Sequence, residues 1–325
     1  MSRRTRRRTA LTLVILGLTL SGLAGCSDWP AVEGNATIAL RTSSSPPRPS
    51  PPATSAPVPS QTEPGTISVE TDIVYREVDG QQVTLDVCQL PTADSPRAAV
   101  LLVHGGAFAA GDKSTAQWQE ICRWLAESGY VAVNLNYRLA PEHRFPAAIE
   151  DLQAAVQWTR ANSQTYGIDP ARIGVIGGSA GANLAQLLGT SGDGSIAQGS
   201  RVASVVSLSG AADFTERALT LGEPESIQIQ RVLDYLGCAE LVGCPTGAAA
   251  SPITQVDPTD PPFLLAQSEN ESLPVEQTEV MAAALTAAGA SPEVLIRPGR
   301  AHATRLLDDP PVADAVLAFL ARTLG

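Results

Sequence analysis

Short apolar segments alternate with longer amphipathic segments through most of the chain, from about residue 98 to the C-terminus. The apolar segments predict strands at 98–103, 131–135, 173–176, 202–208, 263–266 and 293–296, and the amphipathic ones predict helices at 117–128, 146–162, 180–188, 275–288 and 312–324. Strands connected by helices pair in parallel, because the helix carries the chain back to the starting edge of the sheet. The pattern predicts an α/β fold with a mostly parallel central sheet and helices on both faces.

A β-hairpin is predicted ahead of this alternating region. The apolar runs 73–75 and 83–87 flank Asp79-Gly80, a dipeptide that readily adopts the positive φ angles of a tight hairpin turn. The pattern predicts two antiparallel strands joined by this turn.

The segment 211–262 interrupts the alternation between two predicted strands and has no clear strand pattern of its own. It is long for a bare connection in a compact domain. We expect an inserted cap over a binding site, the alternative being an irregular excursion on the surface.

The N-terminus has the pattern of an export signal. Five arginines within residues 1–8 precede an apolar run, 10–24, that is too short for a stable membrane span. The run ends in Leu-Ala-Gly-Cys, which resembles the bacterial lipobox. We therefore expect residues 1–25 to be removed and Cys26 to carry a lipid anchor on the extracytoplasmic face of the membrane. The alternative is ordinary cleavage and secretion, and general and twin-arginine export both stay open.

Residues 26–65 are rich in proline, serine and threonine, with apolar side chains too sparse to form a core. We expect a disordered, semi-rigid linker between the membrane and a catalytic domain at 66–325.

Charge and cysteine content restrict the partners and cofactors of the chain. Removal of residues 1–25 takes away five arginines and no acidic residue, so the net charge changes from −11 to −16, which excludes nucleic acid as a partner. No cysteine or histidine spacing indicates a metal site. An even number of cysteines remains after Cys26, and disulfides are plausible in an exported protein. Cys238 and Cys244 would close a short loop, which leaves Cys88 for Cys122; the alternative is buried free thiols.

The predicted strand 173–176 continues directly into Gly177-Gly178-Ser179-Ala180-Gly181, and a predicted helix follows at once. Small residues on both sides allow a sharp turn that lifts Ser179 above the end of the sheet. A serine hydroxyl is a weak nucleophile, so it needs a neighbouring base and a group that orients the base. The context predicts Ser179 as a nucleophile, and the alternative is a glycine-rich turn with a capping serine.

Further motifs surround this turn. They are 136–143 (Asn-Tyr-Arg-Leu-Ala-Pro-Glu-His), 145–148 (Phe-Pro-Ala-Ala) with Asp151, 169–173 (Asp-Pro-Ala-Arg-Ile) and 104–107 (His-Gly-Gly-Ala). In order and spacing this set resembles the hormone-sensitive-lipase-like esterases, and 104–107 is also similar to the loop of related feruloyl and acetyl esterases. The resemblance covers the chain from about residue 74 to the C-terminus. It implies the α/β-hydrolase fold and a serine esterase that needs no cofactor.

An oxyanion hole is expected in the loop that follows strand 98–103. Glycines let backbone N–H groups face a developing oxyanion without side-chain obstruction. We assign Gly105 and Gly106 to this role, together with the N–H of Ala180. Ala107 stands where the lipase-like group more often has a third glycine.

Three histidines occur in the sequence, and the order nucleophile, acid, base requires a base late in the chain. His302 follows the last predicted strand and is our candidate base. The resemblance implies structural roles for His104 and His143. The acid should follow strand 263–266, where the sequence departs from the usual aspartate. We choose Glu271, with Glu269 second, because Asn270 could not stabilise an imidazolium as a carboxylate does.

These assignments lead to a hypothesis of a serine carboxylic-ester hydrolase that acts through an acyl-enzyme on small or short-chain esters outside the cytoplasm. The triad alone does not exclude an amide or peptide hydrolase or an acyltransferase. A non-catalytic surface-binding lipoprotein with a degenerate triad is the alternative from another class.

Overall fold

The computed structural model of the protein describes residues 66–91 and 95–325. The expected signal peptide (1–25), the acylated Cys26 and the linker (26–65) lie outside the described residues. None of the helices in the described ranges is long and apolar enough to cross a membrane.

The described residues form an eight-stranded sheet in which six strands run parallel. The strand order across the sheet is β1-β2-β4-β3-β5-β6-β7-β8, and β2 is antiparallel to both β1 and β4. The strands are β1 Ser68–Val78, β2 Gln81–Gln89, β3 Arg97–Val103, β4 Val131–Leu135, β5 Ile168–Gly178, β6 Ser204–Leu208, β7 Phe263–Ser268 and β8 Glu293–Arg297. The predicted sheet is therefore confirmed, including the hairpin, whose turn residues Asp79 and Gly80 have φ angles of 52° and 80°.

The helices connect the parallel strands as the periodicity predicts. They are α1 Ala116–Glu127, α2 Ala147–Ala161, α3 Ser163–Tyr166, α4 Ala180–Gly189, α5 Ser226–Leu236, α6 Glu276–Ala287 and α7 Pro310–Leu324. Short 3₁₀ helices occur at Glu216–Thr220, Pro252–Thr254 and Ala303–Asp308. Segment 211–262, in which no helix or strand was predicted, contains helix α5 and two of these 3₁₀ helices.

Apolar side chains fill both faces of the sheet. Along β3, residues 99, 101 and 103 point into a core formed with α2, α4 and α6, whereas residues 98, 100 and 102 point into a second core formed with α1 and α7. This alternation follows from the two-residue period of a strand. Both faces are buried, as a parallel sheet covered by helices requires.

Two disulfides join the four cysteines of the described ranges in the pairs expected from the sequence. Cys88 on β2 is bonded to Cys122 on α1 inside the core. Cys238 is bonded to Cys244 in the loop that follows α5.

A buried ionic network attaches helix α2 to the sheet. The Asp151 side chain is 0% exposed and accepts from the Arg138 Nε at 2.9 Å and from the Arg76 Nη1 at 2.6 Å. Its second oxygen also accepts the Arg138 backbone N–H at 2.9 Å. Arg138 itself is only 8% exposed. Without Asp151, its remaining contacts among the described residues would be the Ala147 carbonyl at 3.2 Å and the exposed Glu150 carboxylate at 3.4 Å. Asp151 is therefore structural.

We expect Asp151→Ala to lower the free energy of unfolding by about 3–5 kcal/mol, because it leaves the buried Arg138 guanidinium without its partner. Equilibrium urea unfolding measures the change. Glu150→Ala is the matched control on the same helix. Its carboxylate is 47% exposed, so the loss there should stay below about 1 kcal/mol. Equal, small losses in both variants would contradict this account of Asp151.

Candidate active site

Ser179 lies at a sharp turn between β5 and α4, with φ 55° and ψ −119°. The turn closes so tightly that a Cβ on Gly177 would lie 2.0 Å from the Gly181 carbonyl oxygen. A Cβ on Gly181 would lie 2.2 Å from the carbonyl oxygen of Val103, at the end of β3. Only glycine fits at these positions. The structure therefore presents Ser179 at the carboxyl edge of the sheet, in a backbone conformation that non-glycine residues rarely adopt.

The loop that follows β3 lies directly against Ser179. A Cβ on Gly105 would come within 2.9 Å of the Gly178 carbonyl oxygen and 3.2 Å of the Ser179 Cβ. Gly106 has φ 121°, and its carbonyl accepts the N–H groups of Ala109 and Ala110. Ala180 is the first residue of α4, where backbone N–H groups have no partner within the helix. Of the residues assigned to the oxyanion hole, Gly105 and Ala180 therefore lie beside Ser179, and Gly106 is the next residue of the loop.

Buried polar contacts fix this loop. His104 is 1% exposed and stacks on Tyr137 with ring centroids 4.3 Å apart, and the Tyr137 hydroxyl donates to the His104 carbonyl at 2.9 Å. The Nδ1–H of His104 donates to the Gly105 carbonyl at 2.7 Å. Burial lowers the pKa of His104, against smaller opposing effects of the Gly105 carbonyl and Asp112. A neutral, enclosed imidazole of this kind has a structural role.

The only lysine of the sequence also supports the loop. Lys113 Nζ donates to Asp86 at 2.6 Å and to Asp72 at 2.7 Å, and its backbone N–H donates to the Asn136 side chain at 2.7 Å. Burial alone would lower the pKa of Lys113, but its two carboxylate partners raise it above the ordinary value. Lys113 therefore joins the loop to the hairpin strands through ion pairs with Asp72 on β1 and Asp86 on β2.

His302 and Glu271 form a hydrogen-bonded pair on the loops after β8 and β7. The Nδ1 of His302 contacts the Oε2 of Glu271, whose side chain is 0% exposed. The other Glu271 oxygen, Oε1, accepts the backbone N–H of Ser268 at 3.3 Å. Glu269 and Asn270 are exposed, and their backbone N–H groups donate to the carbonyls of Arg297 and Gly299. Among the acidic candidates, Glu271 is the carboxylate that the fold brings to His302.

The His302 loop also reaches the nucleophile turn. A Cβ on Gly178, next to Ser179, would lie 3.1 Å from the Ala303 Cβ, next to His302. No hydrogen bond joins the Ser179 hydroxyl to the His302 ring in the part of the chain that the structure describes. Such contacts are often long in unliganded structures and shorten when substrate binds. The structure thus gathers Ser179, His302, Glu271 and the loop glycines at one edge of the sheet.

A cavity of about 80 Å³ opens above Ser179. Part of its lining comes from the sheet side, including Ala180, Asn183 and Ser209. Segment 211–262 provides most of the apolar lining, notably Phe214, Ala218, Leu219, Ile229, Val232 and Leu241. The segment expected to be a cap therefore forms one side of the cavity that contains the nucleophile.

Aromatic side chains that the sequence reading missed join this segment to the oxyanion loop. Phe108, two residues after Gly106, stacks on Tyr235 of α5 with ring centroids 3.9 Å apart and an interplanar angle of 7°. It also meets Phe214 edge to face at 5.9 Å. The sequence shows an aromatic residue two positions after the last loop glycine. Its partners could not be predicted, because they lie more than 100 residues away and share no motif with it.

Comparison with known proteins places the chain in a family. The BD-FAE family model matches residues 85–285. Esterase LipC of Mycobacterium tuberculosis is 33% identical over 248 residues, which cover 71% of this chain and 59% of that protein. Esterase LipQ of the same organism is 33% identical over 227 residues, which cover 68% of this chain and 53% of that protein.

A solved structure agrees with these relatives. The esterase of Pyrobaculum calidifontis superposes with a TM-score of 0.65 at 26% identity, over 80% of this chain and 87% of that one. The chain spans between half and three fifths of the length of the two mycobacterial relatives. The family match over most of the described domain, together with the sheet topology, shows that the chain belongs to the BD-FAE family and has the α/β-hydrolase fold.

Proposed function

We propose that this protein is a serine carboxylic-ester hydrolase that works through an acyl-enzyme. The observation that carries the proposal is the buried Glu271 carboxylate bonded to His302 on a loop that packs beside Ser179. Nucleophile, base and orienting acid then come from three loops at the same sheet edge, as serine hydrolysis requires. The esterase names of the mycobacterial relatives agree with this assignment.

In the proposed reaction, His302 removes the proton from the Ser179 hydroxyl as Oγ attacks the ester carbonyl carbon. The negative charge on the carbonyl oxygen faces the N–H groups of Gly105, Gly106 and Ala180. The tetrahedral intermediate expels the alcohol, which takes the proton from His302, and leaves an acyl group on Ser179. Water then attacks the acyl group, with His302 again acting first as base and then as acid.

Glu271 orients the imidazole in both half-reactions. Its carboxylate binds the Nδ1 side of His302, which leaves Nε2 directed away from the acid and available for proton transfer. The carboxylate is enclosed and held by the Ser268 N–H, so it offers a fixed negative charge to the imidazolium formed in the reaction. A pair arranged in this way supports catalysis over the alternative of a surface-binding protein with a degenerate triad.

The dimensions of the cavity favour small ester substrates. Its volume of about 80 Å³ is well below the roughly 300–1,000 Å³ of pockets that enclose drug-sized ligands. The apolar side chains of segment 211–262 suit a short acyl chain. We therefore propose short-chain esters as the substrate class and no cofactor for the reaction.

We further propose that the enzyme acts outside the cytoplasm, attached to the membrane through a lipid on Cys26. The arginine-rich start, the apolar run and the Leu-Ala-Gly-Cys sequence support this location. The proline-rich residues 26–65 would then separate the catalytic domain from the membrane surface.

Ser179→Ala should reduce the hydrolysis of acetyl and butyryl nitrophenyl esters at least about a thousandfold, because no other group can form the acyl-enzyme. Initial rates with purified protein measure the loss. An unchanged melting temperature shows that the variant is folded. Activity close to that of the unsubstituted protein would refute the proposed role of Ser179.

Glu271→Ala should lower kcat by roughly 10²–10⁴-fold, since His302 loses the carboxylate that orients it. Glu269→Ala is the matched control, two residues away in the same loop with an exposed side chain, and its kcat should stay within about twofold of the wild-type value. The reverse order of effects would assign the acid to Glu269.

Cys26→Ser should move the protein from the membrane fraction to the medium in the native host, because the hydroxyl cannot accept the thioether-linked lipid. Fractionation with immunodetection measures the distribution. Ser27→Ala serves as the control, because it changes the neighbouring residue and leaves Cys26 in place. Continued membrane association of the Cys26 variant would rule out the lipid anchor.

A further inference from the structure

Two buried serines hold the loop of His302, one on each side of the histidine. Ser209 follows β6 and Ser268 ends β7, and both are 0% exposed. The Ser209 Oγ accepts the N–H of Ala303 at 2.9 Å. The Ser268 hydroxyl donates to the carbonyl of Ala301 at 2.7 Å. The residues immediately before and after His302 are therefore each bonded to a different strand end.

We propose that Ser209 and Ser268 are positioning residues that keep the His302 imidazole aligned between Glu271 and Ser179. The proposal rests on the serine hydrolase mechanism described above. It adds two hydroxyls that need not touch the substrate and that act through the backbone on either side of the base.

The imidazole needs this support because its surroundings restrain it weakly. The His302 side chain is 35% exposed, so packing covers only part of the ring. Ala303 has φ 54°, a conformation that costs free energy for a residue with a Cβ. A hydrogen bond to the Ala303 N–H stabilises that conformation. The backbone contacts of the flanking residues, together with Glu271, are what hold the ring in place.

Ser209 also connects the base to the nucleophile. The carbonyl of Leu208, the preceding residue, accepts the backbone N–H of Ser179 at 2.9 Å. The backbone N–H of Ser209 donates to the Ala266 carbonyl on β7 at 2.8 Å. Two consecutive residues at the end of β6 thus bind the nucleophile turn and the His302 loop, and they fix the distance between the two.

Ser268 connects the base to the acid in the same way. Its backbone N–H donates to the Glu271 Oε1, while its hydroxyl donates to the carbonyl of Ala301. A single residue therefore holds both members of the pair. Substitution of the side chain removes the second contact and leaves the first, because the first is made by the backbone.

The test is a comparison of Ser209→Ala, Ser268→Ala and the double variant in the full-length protein. Each single change should lower kcat roughly 10-fold with KM within about twofold, since small misplacements of a base slow the chemical step. Ser209 lines the cavity and Ser268 does not, so an equal effect in both variants separates loss of positioning from a change in the cavity wall. The double variant should lose more than either single variant. Ser209→Cys and Ser268→Cys should each give an intermediate kcat, because a thiol is a weak donor and acceptor of similar size.

Ser204→Ala is the matched control. Ser204 lies on β6, is 0% exposed, and its hydroxyl has no hydrogen-bond partner among the described residues. The kcat of Ser204→Ala should equal the wild-type value. The melting temperature of this variant measures how much stability is lost when a buried hydroxyl is removed from β6 and His302 is not affected.

A second measurement does not depend on turnover. The proton on the His302 Nδ1 should give a downfield NMR signal in the wild-type protein, through its bond to Glu271, and the signal should broaden or disappear in the two alanine variants but persist in Ser204→Ala. Variants that keep both this signal and the wild-type kcat would overturn the positioning role. A third outcome separates the two proposals. If the wild-type protein shows the signal, the alanine variants lose it and the wild-type protein hydrolyses no ester, the positioning role is supported and the proposed function is contradicted.

Discussion

The close contact between the nucleophile turn and the end of β3 is the constraint on which the site depends. Neither Gly177 nor Gly181 has room for a Cβ. A Cβ on Gly177 would lie 2.0 Å from the Gly181 carbonyl oxygen within the turn, and a Cβ on Gly181 would lie 2.2 Å from the Val103 carbonyl oxygen at the end of β3. This contact brings the first turn of α4 against the loop that begins at His104. Ser179 and the oxyanion N–H groups are therefore neighbours through backbone packing alone, before any side-chain interaction is considered.

The proposed acid and base come to the same place because the carboxyl ends of parallel strands meet at one edge of the sheet. The loops after β7 and β8 bring the acid and the base, and the end of β6 lies between them and the nucleophile. Buried hydroxyls and backbone bonds cross from loop to loop, as at Ser209 and Ser268. The geometry of the proposed catalytic site is therefore set by strand ends and by loops that are hydrogen-bonded to them.

The sequence predicted the parts that depend on local pattern. The predicted helices and strands agreed with the structure in type and order, and their ends differed by at most five residues, as at the start of β1 and β5. The agreement follows because two-residue and 3.6-residue periods are properties of neighbouring side chains. Helix α5 was not predicted, and it owes its place to contacts with distant residues, such as that of Tyr235 with Phe108, which no local pattern shows. For the acid beside His302, the sequence limited the candidates to Glu271 and Glu269. Which of the two side chains faces His302 depends on the geometry of the loop. Buried serines such as Ser209 have no sequence signature.

In the proposed mechanism, the acyl chemistry and the choice of substrate depend on different parts of this chain. Ser179, His302 and their supports are set by the sheet, whereas most of the apolar lining of the cavity comes from segment 211–262. Tyr235 of that segment stacks on Phe108 of the oxyanion loop, and a disulfide between Cys238 and Cys244 lies within the segment. A substitution on the cavity side of α5 can therefore change which acyl group fits without moving the nucleophile or its base. Substrate preference can diverge within such a fold because the residues that select the substrate are separable from those that perform the reaction.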